Sequence, residues 1–169
     1  VAAKAQIEFN YEEDEFGNAR KVARYNLDAT TLQVSSFVRL DYSYVRVKDN
    51  PANPLQQWGY LEVDIFSEPQ KGAPTFIIQH PDGKRKQIAL YDNEILSVWN
   101  DLVFYTTGTR EGSSGSPVFN ADWKVIALHR AGMNEEDGGL QIDADGTYAS
   151  ANEGVLMSTI YRDHGKLKP

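Results

Sequence analysis

The stretch "EGSSGSPVF", Glu111 to Phe119, decides how the rest of the chain is read. Two glycines bracket a pair of serines, a proline closes the turn, and an apolar pair follows. A glycine two residues ahead of a serine lets the backbone bend and aim successive N–H groups to one side. A glycine after the serine leaves room for an approaching backbone, and the proline opens a strand at its edge. A nucleophilic serine needs an exposed hydroxyl, a base to take its proton, and amide donors for the developing oxyanion. In this pattern Ser114 is the nucleophile, and the amides of Gly112 and Ser114 form the oxyanion hole. A polar β-turn with incidental serines fits the same residues equally well, so the surrounding chain has to decide.

Outward from that turn the chain reads as all-β. Lys4–Tyr11 alternates strictly, with Ala5, Ile7, Phe9 and Tyr11 on one side, which is the period of a half-buried strand. A charged turn with Gly17 leads to a second strand over Val22–Leu27, expected to form a hairpin with the first. Leu32–Val38 and Leu40–Val47 are rich in β-branched and aromatic residues and read as two more strands. Strands are expected again at Tyr60–Ile65, Thr75–Gln79, Lys86–Tyr91, Glu94–Val98, Leu102–Thr106, Pro117–Asn120, Lys124–Arg130 and Val155–Met157. A short helix is expected over Ser158–Lys166. Many short strands with Gly, Pro, Asp or Asn in the gaps point to a sandwich or barrel. The layout is a partial N-terminal β-barrel over residues 1–48, a proline-bearing linker at 49–58, and a C-terminal β-barrel with its terminal helix over 59–169.

Bulk properties bound the function. A chain of 169 residues with 41% apolar and 24% charged residues is globular in composition. The formal net charge of −7 argues against a nucleic-acid partner, and the local cluster Lys84, Arg85 and Lys86 is too small to track phosphates. No apolar run approaches the roughly 18 residues of a membrane span, so no membrane partner is expected. There is no cysteine, which excludes disulfides and thiolate metal sites and permits a reducing compartment; a cytoplasmic setting is favoured. The stretch Asp143–Glu153 lacks the acid spacing of a calcium loop and reads as a hairpin turn at Asp145–Gly146. The carboxylates from Glu12 to Glu15 read as a solvated turn. No metal site and no cofactor are expected.

"GSSGSPVF" resembles the GxSGxP motif of trypsin-like (chymotrypsin-fold) serine peptidases of bacterial type. Other segments resemble the family in the same order. "LDYSYVRV" looks like the segment with the triad aspartate, and "FIIQHPDGKRKQIAL" like a hairpin of the second barrel. "KVIALHRAG" looks like the strand that binds the substrate backbone, and "NEGVLMSTI" like the last strand leading to the terminal helix. The resemblance implies a chymotrypsin-like double β-barrel and a serine endopeptidase acting on polypeptide substrates through an acyl-enzyme. It implies Asp41 and Ser114 as catalytic residues, Gly112 and Ser114 as oxyanion donors, and Thr109, His129, Arg130, Ala131, Gly132 and Gly154 around the substrate. Digestive members carry an aspartate just before the nucleophile; this chain has Ser113, so activation through a new N-terminus is not implied. Ser116 stands at the motif's second glycine, where a side chain is expected to crowd the turn. No acid falls at the pocket base unless Glu153 turns in, which leaves a small or medium apolar P1 residue as the expectation.

In this family the triad runs His, Asp, Ser. The histidines are His80, His129 and His164, and none precedes Asp41. His80 reads as a loop residue, His164 as a tail residue, and His129 as a support to Asp41 or to substrate. The chain is therefore expected to be a fragment whose base lies before Val1, with the first barrel incomplete, the piece inactive alone, and its open strand edges prone to association. The competing expectation is a peptide-binding module that holds peptides along Lys124–Gly132 without catalysis. A purely structural barrel, the third, predicts no cleft at Ser114.

Overall fold

The computed structural model describes residues 4–36 and 38–164. They fall into two compact units, one ending at Tyr60 and the other starting at Leu61. Nearly all regular structure is strand, with one α-helix.

In the first unit β1 (Gln6–Phe9), β2 (Ala23–Val34) and β3 (Ser43–Val47) form a three-stranded antiparallel sheet in that order. The expected hairpin is present, with Phe9 opposite Ala23 and Gln6 opposite Asn26. Its turn is built locally: Asp14 Oδ1 accepts the amides of Phe16 and Asn18, and Gly17 takes φ +81°. The Asn18 amide, first among these bonds, holds the Asp14 carboxyl below its ordinary range. The two strands expected at 32–47 are different in detail. β2 runs unbroken to Val34, and its pairing with β3 shifts register between Asp28 and Gln33. Leu40 and Asp41 sit in a turn whose amides, with that of Arg39, converge on the Ser36 carbonyl. Three donors on one carbonyl close the loop too tightly for an extended strand, and Asp41 takes φ +52°. Phe37, within one expected strand, lies outside the described residues. The proline-bearing segment folds back on this sheet: Trp58 Nε1 donates to the Tyr25 hydroxyl at 2.8 Å, that hydroxyl donates to the Asn53 carbonyl at 2.9 Å, and Phe9 stacks on Trp58 at 4.9 Å.

The second unit holds a seven-stranded sheet. Its members are β4 (Phe76–Gln79), β5 (Gln87–Ala89), β6 (Ile95–Trp99), β7 (Leu102–Tyr105), β8 (Pro117–Phe119), β9 (Val125–Met133) and β12 (Ala151–Leu156). The strand order is β5-β4-β8-β9-β12-β7-β6. The sheet curls on itself, because the lead-in to β4 bonds the lead-in to β6: Thr75 N donates to Asn93 O, Ile95 N to Ala73 O, and Gly72 N to Ile95 O. Inside the curl Ile77, Ile95, Val103, Tyr105, Val118, Ile126, Ala127 and Leu156 form the core. The hydroxyls of Thr75 and Thr107, both fully buried, satisfy each other at 2.7 Å.

The expected strand at Tyr60–Ile65 reduces to a single bridge between Val63 and Val125. Asp64 ends it: its carboxylate accepts the amides of Phe66 and Ser67 and turns the chain away. The turn expected at Asp145–Gly146 joins β10 (Leu140–Gln141) and β11 (Tyr148–Ala149). The helix, α1 (Met157–His164), buries Met157, Thr159 and Ile160; residues 165–166 of the expected span lie outside the described residues. α1 is tethered by Thr159 and Arg162 to the Asp101 carboxylate.

Candidate active site

Ser114 lies between β7 and β8 in a loop whose conformation follows from its glycines. Gly112 takes φ +85° and Gly115 φ +83°, which L side chains adopt only under strain. Ser116 has no such requirement, so its side chain fits where the sequence expectation had it crowd the turn; its amide donates to Ser113 O and its carbonyl accepts from His129 N. Ser113 is fully buried. Its amide donates to the Arg110 carbonyl at 3.0 Å and its hydroxyl accepts the Arg110 amide at 3.3 Å. These two bonds hold the loop from within.

The loop leaves the nucleophile candidate exposed. Ser114 Oγ donates to the Arg130 carbonyl at 3.3 Å. Among the described residues no hydrogen bond takes the amide of Gly112 or of Ser114, while the intervening Ser113 amide is engaged. Two free amides flanking a bonded one, beside an exposed hydroxyl, are the arrangement an oxyanion requires.

The turn at Pro81–Gly83, between β4 and β5, buttresses this loop. The Asp82 amide donates to Glu111 O at 2.7 Å, and a Cβ on Gly112 would stand 3.2 Å from the His80 carbonyl. His80, read from sequence as a loop residue, places its Nδ1 3.0 Å from Lys84 O and its carbonyl under Gly112.

A cavity of about 600 Å³ opens beside Ser114. Gly108, Thr109, Arg110, His129, Gly132 and Asn152 line it, together with Ala131. Its wall is fixed from behind: Gln79 Nε2 donates to Gly108 O at 3.0 Å, Asn152 Nδ2 donates to Thr107 O at 2.7 Å, and Thr109 Oγ1 donates to Asn152 Oδ1. The β9–β8 ladder ends at Leu128, the His129 amide and carbonyl bond Ser116 and Gly115, and β9 continues paired with β12 as far as Met133. Gly154 is engaged in the ladder opposite His129, and a Cβ there would stand 3.0 Å from the Leu128 carbonyl. Arg130 turns its guanidinium to Glu153 at 2.6 Å, and both side chains are largely buried. Glu153 therefore faces Arg130.

His129 is buried, and its Nδ1 lies 2.8 Å from the Tyr105 hydroxyl. Burial lowers its pKa to about 4, so the ring is neutral. Burial, with the Glu153 carboxylate behind it, raises that of Tyr105 well above its ordinary value. Sequence reasoning overlooked Tyr105 and Gln79. Both lie on strands that read only as core, and neither has a motif. Among the described residues no group of three or more His, Asp or Glu could hold a metal, and no helix is long and apolar enough to cross a membrane.

Comparison with known proteins settles the family. The trypsin-like peptidase domain family matches residues 2–128. The chain belongs to that family. It is 31% identical to an uncharacterized protein, y4fB, of Sinorhizobium fredii, covering 96% of this chain and 29% of that protein. It is 30% identical to the human serine protease FAM111B over 56% of this chain and 17% of that protein. The chain thus spans less than a third of these relatives. Among solved structures, a Glu endopeptidase superposes with a TM-score of 0.57 at 16% identity, over 86% of this chain and 66% of that one. An inactive mutant of Rv3671c from M. tuberculosis gives 0.52 at 16%, over 87% and 68%. These likenesses agree with the chymotrypsin-like fold expected from the motif order.

Proposed function

We propose that this trypsin-like domain is a serine endopeptidase domain in which Ser114 attacks the scissile carbonyl. The observation that carries the reading is the exposed Ser114 hydroxyl flanked by the unengaged amides of Gly112 and Ser114. As Oγ bonds the carbonyl carbon its proton passes to a histidine base, and the two amides receive the negative oxygen. Collapse expels the amine, which takes the proton from the base, and water then hydrolyses the acyl-enzyme. Asp41 orients that histidine. The Arg130 carbonyl, which holds the Ser114 proton in the free protein, receives the P1 N–H of a substrate strand laid along Arg130–Gly132.

His129 does not supply the base. Its Nδ1 is engaged by Tyr105, its pKa of about 4 is too low for the task, and Ser114 Oγ bonds the Arg130 carbonyl instead. His80 and His164 match no triad position, so the base comes from residues outside these 169, and this piece by itself hydrolyses poorly. Polypeptides are the substrates. The part of β9 beyond the end of its pairing with β8 also suits the second reading, a module that binds peptides without cleaving them.

A fluorophosphonate probe separates the two. In the longer protein it is expected to label Ser114, and Ser114→Ala to abolish labelling and reduce turnover by roughly a millionfold. A folded longer protein that takes up no probe would establish the binding module.

A further inference from the structure

The cluster Lys84, Arg85 and Lys86, too small for nucleic acid, acquires a role from where the fold puts it. All three residues are exposed and follow directly on the Pro81–Gly83 turn. That turn is fastened to the nucleophile loop by the Asp82 amide on Glu111 O at 2.7 Å, and a Cβ on Gly112 would stand 3.3 Å from the Gly83 nitrogen. The Asp82 carboxylate meets two cations, Lys84 Nζ at 3.2 Å and Arg110 Nη1 at 3.8 Å. One carboxylate between two cations leaves an excess of positive charge, and Arg85 and Lys86 add to it. Both ion pairs are largely exposed, so they are weak and can exchange a partner. In a chain of net charge −7 this is a local reversal of sign.

The nucleophile loop stands between this turn and the cavity. Glu111 lines the cavity and gives its carbonyl to Asp82, whereas no residue from His80 to Lys86 lines the cavity. A substrate attacked by Ser114 lays its acyl side along Arg130–Gly132. Its leaving side cannot continue along β9, because the His129 amide and carbonyl are taken by Ser116 and Gly115. The leaving side therefore crosses the loop, and past Gly112 it meets the basic turn. Three extended residues span roughly 10 Å, which long lysine and arginine side chains can cover from the turn. On the cavity side Glu111 and Asp137 carry the opposite charge, so the attraction for carboxylates is confined to the leaving side.

We infer that the basic turn after β4 selects the leaving-group side of the substrate: Lys84, Arg85 and Lys86, with Arg110, favour aspartate or glutamate within the three residues that follow the scissile bond. This rests on the reading of Ser114 as nucleophile.

The test uses the longer protein and fluorogenic peptides that share one library-selected sequence up to the scissile bond and continue as Ala-Ala-Ala, Glu-Glu-Glu or Lys-Lys-Lys. kcat/KM is expected to be about fivefold higher for the Glu peptide than for the Ala peptide, and about fivefold lower for the Lys peptide. Both ratios should collapse toward one at about 0.5 M salt. Lys84→Glu combined with Arg85→Glu should invert the order of the Glu and Lys peptides. Equal turnover of the three peptides, or an order that the double variant leaves unchanged, overturns the inference. Binding is read separately on this chain, ¹⁵N-labelled and titrated with Ala-Glu-Glu or Ala-Lys-Lys amides. The Glu peptide should shift the amide resonances of residues 82–86 and the Lys peptide should not. Cleavage without charge preference removes the selector and keeps the peptidase. Absence of cleavage, with the turn resonances still moved by the Glu peptide alone, removes the peptidase and keeps the turn as a site for acidic peptides.

Discussion

In the first unit only Tyr25, Leu40 and Tyr42 are buried hydrophobics among the described residues, while Ile7, Val34 and Val38 lie exposed. In the second, every strand from β4 to β9, and β12, contributes to an enclosed sheet in which Ile77, Val103, Tyr105, Val118 and Ala127 have no exposure at all. Both use alternating strands with turn-forming acids and glycines. The difference is closure. A three-stranded sheet has one face to cover and two open edges, whereas in the second unit the bonded lead-ins to β4 and β6 curl the sheet around its interior. The nucleophile loop and its cavity are built from residues of the second unit, and the loop is backed there by the Asp82–Glu111 bond.

The sharpest way to break this comparison is to separate the units. Residues 61–169 expressed alone are expected to melt cooperatively, and residues 1–60 alone to show no cooperative transition by circular dichroism, since so short a piece buries too little apolar surface. A sigmoidal melt of the short piece would refute the contrast.

Within the second unit the largest single-site effect is expected at the buried ion pair. Arg130→Leu strands the Glu153 carboxylate and should cost about 3–5 kcal/mol in urea unfolding. Adding Glu153→Gln to that variant should recover a good part of it. Paired core truncations measure the contrast between units directly. Ile77→Ala is expected to cost about 2–5 kcal/mol, and Ile7→Ala, at 36% exposure, under about 1 kcal/mol. Equal losses would show that the first unit is as well enclosed as the second.

The remaining effect is pH-dependent. Unfolded, His129 takes up a proton near its ordinary pKa of 6.5; folded, burial delays this to about 4. Its contribution is therefore complete above pH 6.5 and declines as the pH falls toward 4, by at most on the order of 3 kcal/mol. Between pH 4 and 6.5 the unfolding free energy of His129→Leu should lose the slope that the wild type shows if this ring is the cause. An unchanged slope in the variant would assign the dependence to other groups.

How much of this could be read in advance varied with the range of the interaction. The strands at 76–79, 102–105, 117–119 and 125–133 and the hairpin at 140–149 were legible from alternation and turn residues. The strand expected at 60–65 was not, because the side chain of Asp64 captures two amides that alternation cannot weigh. The turn at Ser36–Asp41 was hidden because three amides converge on the backbone carbonyl of Ser36, which no side-chain pattern records.

The nucleophile loop was written in consecutive residues. Positive φ at Gly112 and Gly115, a serine between them and a proline after are local demands, and local demands leave a local signature. Only the tertiary structure decided which groups surround it: the Pro81–Gly83 turn beneath Gly112, Gln79 on Gly108, Arg130 on Glu153, and Tyr105 on His129. Those contacts depend on strand order and register, which no short window of sequence contains, because a shift of one residue in pairing would send each side chain to the opposite face.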